Sequence, residues 1–113
     1  MAINKKNTFL QEDQDLAEFA KAISHPARIA ILRKLAEHGT CICGEIVEVL
    51  PLAQSTVSQH LKELLNAGLI KGELDGAKSC YCINEENIAR LSNFFSSEMK
   101  NIIKENKKSS KCC

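Results

Sequence analysis

Six cysteines stand in this chain of 113 residues. They fall in three close pairs: Cys41 with Cys43, Cys80 with Cys82, and Cys112 with Cys113. Thiolates are soft ligands and good nucleophiles, so such pairs can hold a thiophilic ion, form a disulfide, or do nothing chemical. An even count in a short chain also reads as a secreted disulfide scaffold. Two features speak against that. Met1 to Asn7 has lysines but no apolar run behind them, so it is not a secretory signal. The hydrophobic periodicity further on already supplies a core. Reduced thiols in the cytoplasm are therefore the expectation. No apolar stretch approaches the roughly 18–20 residues of a membrane span, so no membrane partner is expected. Nor is an enzyme: there is no Gly-rich phosphate loop and no nucleophile beside a base. Thiol oxidoreductases prefer Cys-x-x-Cys, whereas these pairs are Cys-x-Cys and Cys-Cys.

The length allows one domain, and a domain this small gains from burying more surface by dimerising. Leu16, Phe19, Ala20 and Ile23 repeat at helical spacing, which predicts an amphipathic helix over 9–23. Ser24-His25-Pro26 breaks it, with Pro26 placed to open a second helix behind a cap at Ser24 or His25. That helix runs to about Glu37, buries Ile29, Ile31, Leu32, Leu35 and Ala36, and ends at Gly39. A short helix follows over 42–49, stopped by Pro51. The next covers 54–66, with Val57, Leu61, Leu64 and Leu65 inward and Gly68 as its stop. Alternating runs over 69–74 and 78–83, joined by Asp75-Gly76, predict a β-hairpin. Asn84 caps a last helix over 85–104, striped by Ile88, Leu91, Phe95, Met99 and Ile102. The fold class is mainly α with a two-stranded β-hairpin wing, a winged helix-turn-helix of five helices. Residues 1–106 form its DNA-binding and dimerisation domain. Residues 107–113 form a flexible tail rich in Lys and Cys.

A short helix, a tight turn, a second helix and a hairpin make a unit whose second helix enters a DNA major groove about 12 Å wide. Gln54, Ser55, Thr56, Ser58, Gln59 and Lys62 give that helix a polar outer face. Gln pairs bidentately with adenine, Ser and Thr reach bases or phosphates, and a helix N-terminus attracts phosphate. Lys71 and Lys78 on the hairpin are phosphate-contact candidates. The net charge of +1 lends no support, since nucleic-acid binders usually carry a basic excess.

Three segments together resemble the ArsR/SmtB family of metal-responsive repressors. They are Ser24-His25-Pro26-Ala27-Arg28-Ile29, Gln54-Ser55-Thr56-Val57-Ser58-Gln59-His60-Leu61-Lys62, and Ala67-Gly68-Leu69-Ile70. The resemblance spans roughly residues 12–104. It implies a homodimer joined through the first and last helices. Each protomer sets one recognition helix in a half-site of an inverted-repeat operator of double-stranded DNA. It also implies that His60 lies near DNA.

The resemblance places Cys41 and Cys43 where arsenic- and cadmium-responsive members carry Cys-x-Cys, at the start of the helix before the turn. It implies As(III) or Sb(III) as inducer, with Cd(II) and Pb(II) as further soft ions, and no organic cofactor. One departure matters. Ile46 stands where a third cysteine would complete the arsenic pattern. Residues two apart on a helix also point about 200° apart. A third thiol must come from elsewhere, and Cys112 and Cys113 on the tail are the expected suppliers. Cys80 and Cys82 face one side of the wing strand and are given no specific role. The family's Zn(II) site on the last helix is not expected, because Glu85, Asn87, Glu98 and Asn101 stand there without a histidine. Two rivals remain: a redox or reactive-sulfur-sensing repressor of the same fold, and a winged-helix protein-interaction module with structural Zn(II).

Overall fold

The computed structural model describes residues 8–39, 41–43, 50–75 and 78–108. The elements run α1 (Gln11–Ala22), α2 (Pro26–His38), β1 (Ile42–Cys43), α3 (Gln54–Asn66), β2 (Ile70–Asp75), β3 (Lys78–Ile83) and α4 (Glu85–Lys108). Of the two cap candidates for α2, His25 takes the place. Its Nδ1 accepts from the Ala27 N–H at 3.0 Å, ahead of Pro26 in the first turn. Asn84 caps α4 as its side chain predicts, with Oδ1 accepting from the Asn87 N–H at 3.3 Å. The helix then runs to Lys108, about one turn past the expected end at Lys104.

Two expectations need correction. The helix expected over 42–49 does not begin at Ile42. Ile42 and Cys43 form a short strand that pairs antiparallel with β3, Ile42 opposite Tyr81 and Cys43 opposite Cys80. Residues 44–49 lie outside the described residues. Four helices, not five, stand among those described. The hairpin is accordingly one part of a three-stranded sheet of order β1-β3-β2. The cause is tertiary: the outer edge of β3 offers unpaired N–H and C=O groups, and a passing segment with β-branched Ile42 satisfies them.

The core lies where α2, α3 and the sheet meet. Ile31, Leu35, Val57, Leu64 and Leu69 are fully buried, with Ile42, Leu61, Ile70 and Leu91 beside them. Each such aliphatic side chain contributes about 1.5–3 kcal/mol. Ala20 and Ala36, expected inside, are exposed. Small side chains at the margin of a helical stripe lose little by facing water. Phe19 meets Phe95 edge to face at 6.2 Å and holds α1 to α4. The radius of gyration is 17.7 Å, against about 13 Å for a compact domain of this length. Helix α4, with 24 residues, reaches about 36 Å.

The chain leaves α3 through a Schellman turn. The Gly68 N–H donates to the Leu65 carbonyl and the Leu69 N–H to the Leu64 carbonyl, both at 3.0 Å. Gly68 has φ +77° there, and the Asn87 Nδ2 donates to its carbonyl at 2.8 Å. A Cβ at Gly68 would meet that same Nδ2 at 2.7 Å, whereas one at Gly39, also at positive φ, would meet nothing within 4 Å. Both glycine-to-alanine changes should cost about 1–2 kcal/mol from the left-handed backbone alone. Gly68→Ala should lose more in urea unfolding, because it also dislodges Asn87. Equal losses in the two variants would refute the close approach.

Candidate DNA-reading surface and thiol cluster

Helix α3 separates its faces cleanly. Val57, Leu61 and Leu64 are buried, while Gln54, Ser55, Thr56, Ser58, Gln59 and Lys62 are all exposed. Its N-cap is Ala53, which offers no side-chain cap. The first turn carries no acidic residue, so the positive end of the helix dipole faces outward unneutralised. The structure therefore brings together six of the residues picked out for DNA contact. Lys71 on β2 is exposed as well. Lys78 opens β3, and its side chain lies outside the described residues.

His60 behaves differently from its neighbours. It is 8% exposed and turned inward. The Arg28 Nε donates to its Nδ1 at 3.1 Å, and the His25 ring lies tilted 4.5 Å away. The Arg28 Nη1 donates to the carbonyls of Lys21 and Ala22 at 3.2 and 3.3 Å. One guanidinium thus caps the negative end of α1 and anchors the recognition helix. Burial, then the neighbouring His25, then Arg28 lower the pKa of His60 below its ordinary value. The polar outer face read from the sequence does not include His60, which only the family resemblance sets near DNA; the spacing Val57, His60, Leu61, Leu64 follows the buried stripe. Its partners, Arg28 and His25, lie far away in the chain and gave no local signal.

The cysteines are rearranged more deeply. Cys41 is exposed just before β1 and is joined by a disulfide to Cys82 of β3, Cα to Cα 4.3 Å. Cys80 is disulfide-bonded as well. The wing pair, given no role from the sequence, thus stands at the thiols of the first pair. Cys112 and Cys113 lie outside the described residues. The usable signal was the alternation itself, since residues two apart on a strand share a face.

An exposed, uncapped polar helix, held from behind by a core and flanked by a hairpin, defines a winged helix-turn-helix DNA-binding regulator. A model of the bacterial regulatory protein arsR family matches residues 25–71. The chain is 39% identical over 72 residues to the arsenical resistance operon repressor of Bacillus subtilis, covering 63% of this chain and 68% of that one. It is 38% identical over 74 residues to the transcriptional repressor SmtB of Mycobacterium tuberculosis, covering 66% of this chain and 54% of that one. The solved structure of an ArsR-like transcriptional regulator from Rhodococcus sp. RHA1 has the same fold. Its TM-score is 0.68 over 92% of this chain and 100% of that one, at 18% identity. The chain belongs to the ArsR/SmtB family of transcriptional repressors; it is a regulator and not an enzyme. Among the described residues no helix is long and apolar enough to cross a membrane.

The inward His60 has a measurable consequence. Its folded pKa lies below the unfolded value, so the unfolded chain takes up a proton that the folded chain refuses. Its contribution to stability is complete above an ordinary pKa of 6.5 and falls as the pH drops from there through the lowered value. Urea unfolding at about pH 7.5 and about pH 5.5 should show a larger acid loss for the wild type than for His60→Asn. Equal losses would mean that His60 does not titrate differently on folding.

Proposed function

We propose that this protein is a homodimeric repressor that sits on an inverted-repeat operator and lets go when a thiophilic metalloid engages its cysteine thiolates. Arsenite or antimonite is the first-choice inducer, ahead of cadmium and lead, because trivalent arsenic and antimony favour soft sulfur ligands. Cys41 and Cys43 are the sensing pair. The observation that carries this is the position of Cys41, on the segment between α2 and α3, with the Cys82 sulfur of β3 bonded to it. A ligand pulling there changes how α3 is presented. Ligand binding that favours the DNA-incompetent arrangement is what induction requires. The arsenical resistance repressor among the relatives supports this choice of signal.

Dimerisation is supported by the apolar residues that the single chain leaves open. Phe9 and Leu10 ahead of α1 are 61% and 68% exposed, and Phe95, Ile102 and Ile103 of α4 are 39%, 59% and 55% exposed. The stripe read from the sequence along the last helix is buried at Leu91 and then runs out into solvent. A second copy laid along α1 and α4 would cover it. Two recognition helices about a dyad then meet half-sites about 34 Å apart. A second reading rests on the Cys41–Cys82 disulfide: oxidation of that pair, rather than an ion, is the signal.

Fluorescence anisotropy of a labelled inverted repeat from upstream of the gene, at fixed salt, tests the proposal. Arsenite under a phosphine reductant should release the DNA near stoichiometry, and Cys41→Ser with Cys43→Ser should abolish release. Release by oxidant alone, reversed by the phosphine, would establish the second reading instead. Gln59→Ala should weaken operator binding by about 1–3 kcal/mol if it reads a base bidentately, and should leave binding to random duplex unchanged. In sedimentation, Phe95→Glu with Ile102→Glu should shift the protein from dimer to monomer. A dimer untouched by that pair places the seam elsewhere.

A further inference from the structure

We infer that the wing completes the sensing site: Cys41, Cys80 and Cys82 form one three-thiol site, closed within a single protomer, that takes trivalent arsenic. The inference rests on the proposal that the thiol of Cys41 is part of the sensor, and it names Cys80 and Cys82 as the ligands that complete the site in place of Cys43 and the tail cysteines.

The register carries the argument. Ile42 pairs with Tyr81 and Cys43 with Cys80. One rung further, Cys41 meets Cys82 with Cα atoms 4.3 Å apart. That is the spacing of a non-hydrogen-bonded antiparallel pair, about 4.5 Å, in which side chains approach most closely. Cys80 lies two residues from Cys82 and shares its face, about 7 Å along the strand. Ile42 is buried, and Tyr81 and Ile83 pack against the core. The alternate face, which carries the cysteines, therefore looks outward, with Cys41 exposed and Cys80 and Cys82 half-buried. A cleft of about 450 Å³ opens beside Cys41 and Cys82, floored by Leu35 and Ile83 and edged by Glu85, and admits a small solute. The difficulty of Cys-x-Cys on a helix disappears, because the partner thiols come from across a strand ladder instead of around a helix.

The chemistry balances in two steps. Two equivalents of a small-molecule thiol pair first reduce the Cys41–Cys82 disulfide and the disulfide that holds Cys80, each giving up two electrons and two protons and leaving as its own disulfide. Arsenous acid then exchanges its three hydroxyls for three thiols. Three As–O bonds break, three As–S bonds form, and the thiol protons leave with the hydroxyls as three waters, with arsenic trivalent throughout. The finished complex ties the segment leading toward the recognition helix to the wing, two parts that must grip one DNA half-site together.

Alkylation mapping of the intact wild-type protein tests this. The protein is reduced with a phosphine, because a dithiol would itself capture arsenite. It is then exposed to iodoacetamide with and without arsenite and read by peptide mass spectrometry, with operator release followed in parallel. Arsenite should slow alkylation of Cys41, Cys80 and Cys82 at least tenfold and leave Cys112 and Cys113 reactive. Shielding of Cys43, Cys112 or Cys113 with Cys80 or Cys82 still reactive would overturn the inference and leave an arsenite-responsive repressor standing. Arsenite that neither shields a cysteine nor releases DNA would overturn the inducer itself. As a second measurement, Cys80→Ser with Cys82→Ser, judged against its own arsenite-free DNA affinity, should need at least tenfold more arsenite for release. An unchanged requirement would overturn the inference.

Discussion

Strand β3 is the constraint from which the working half of the molecule follows. It is bonded on both sides, by β2 along its whole length and by β1 at two residues. A lone hairpin projecting from a helical domain is a weak structure in water. A third strand, even a short one, fixes the wing's inner half and closes the edge of β3 that would otherwise be open. The same pairing fixes the segment that follows α2. At Gly72, opposite Tyr81, a Cβ would sit 3.0 Å from Leu65 of α3. The sheet therefore lies directly against α3.

The second tie is polar. From its place on α2, Arg28 reaches two ways: to the last carbonyls of α1 and to His60 on α3. Its bond to His60 requires an unprotonated Nδ1, and burial, which lowers the pKa of His60, favours that form. The recognition helix is thus gripped at its middle from behind while its outer face carries only Gln, Ser, Thr and Lys. Rigidity behind and polarity in front are what reading a groove demands, since a side chain must arrive at a base edge with its orientation already set.

Helix boundaries were legible from local chemistry. Pro26 at a helix start, Gly39 and Gly68 at left-handed stops, and Asn84 as a cap each act over three or four residues, which is the range a sequence pattern resolves. The outward face of α3 was legible for the same reason, because 3.6-residue periodicity sorts polar from apolar. The partner of His60 was not legible, because it is a guanidinium 32 residues away. Periodicity failed at Ile42, where a two-residue strand is too short to leave a period of its own.

The amino-acid sequence by itself determined most helix boundaries, the polar outer face of α3 and the presence of paired thiols, because each is written in neighbouring residues. It left open which thiols belong together. Cys41 and Cys82 are 41 residues apart, and only the pairing of β1 with β3 brings them onto one rung. That pairing is decided by an open strand edge seeking hydrogen bonds and by Ile42 seeking the core. Both are properties of the assembled fold and of no local stretch of the chain.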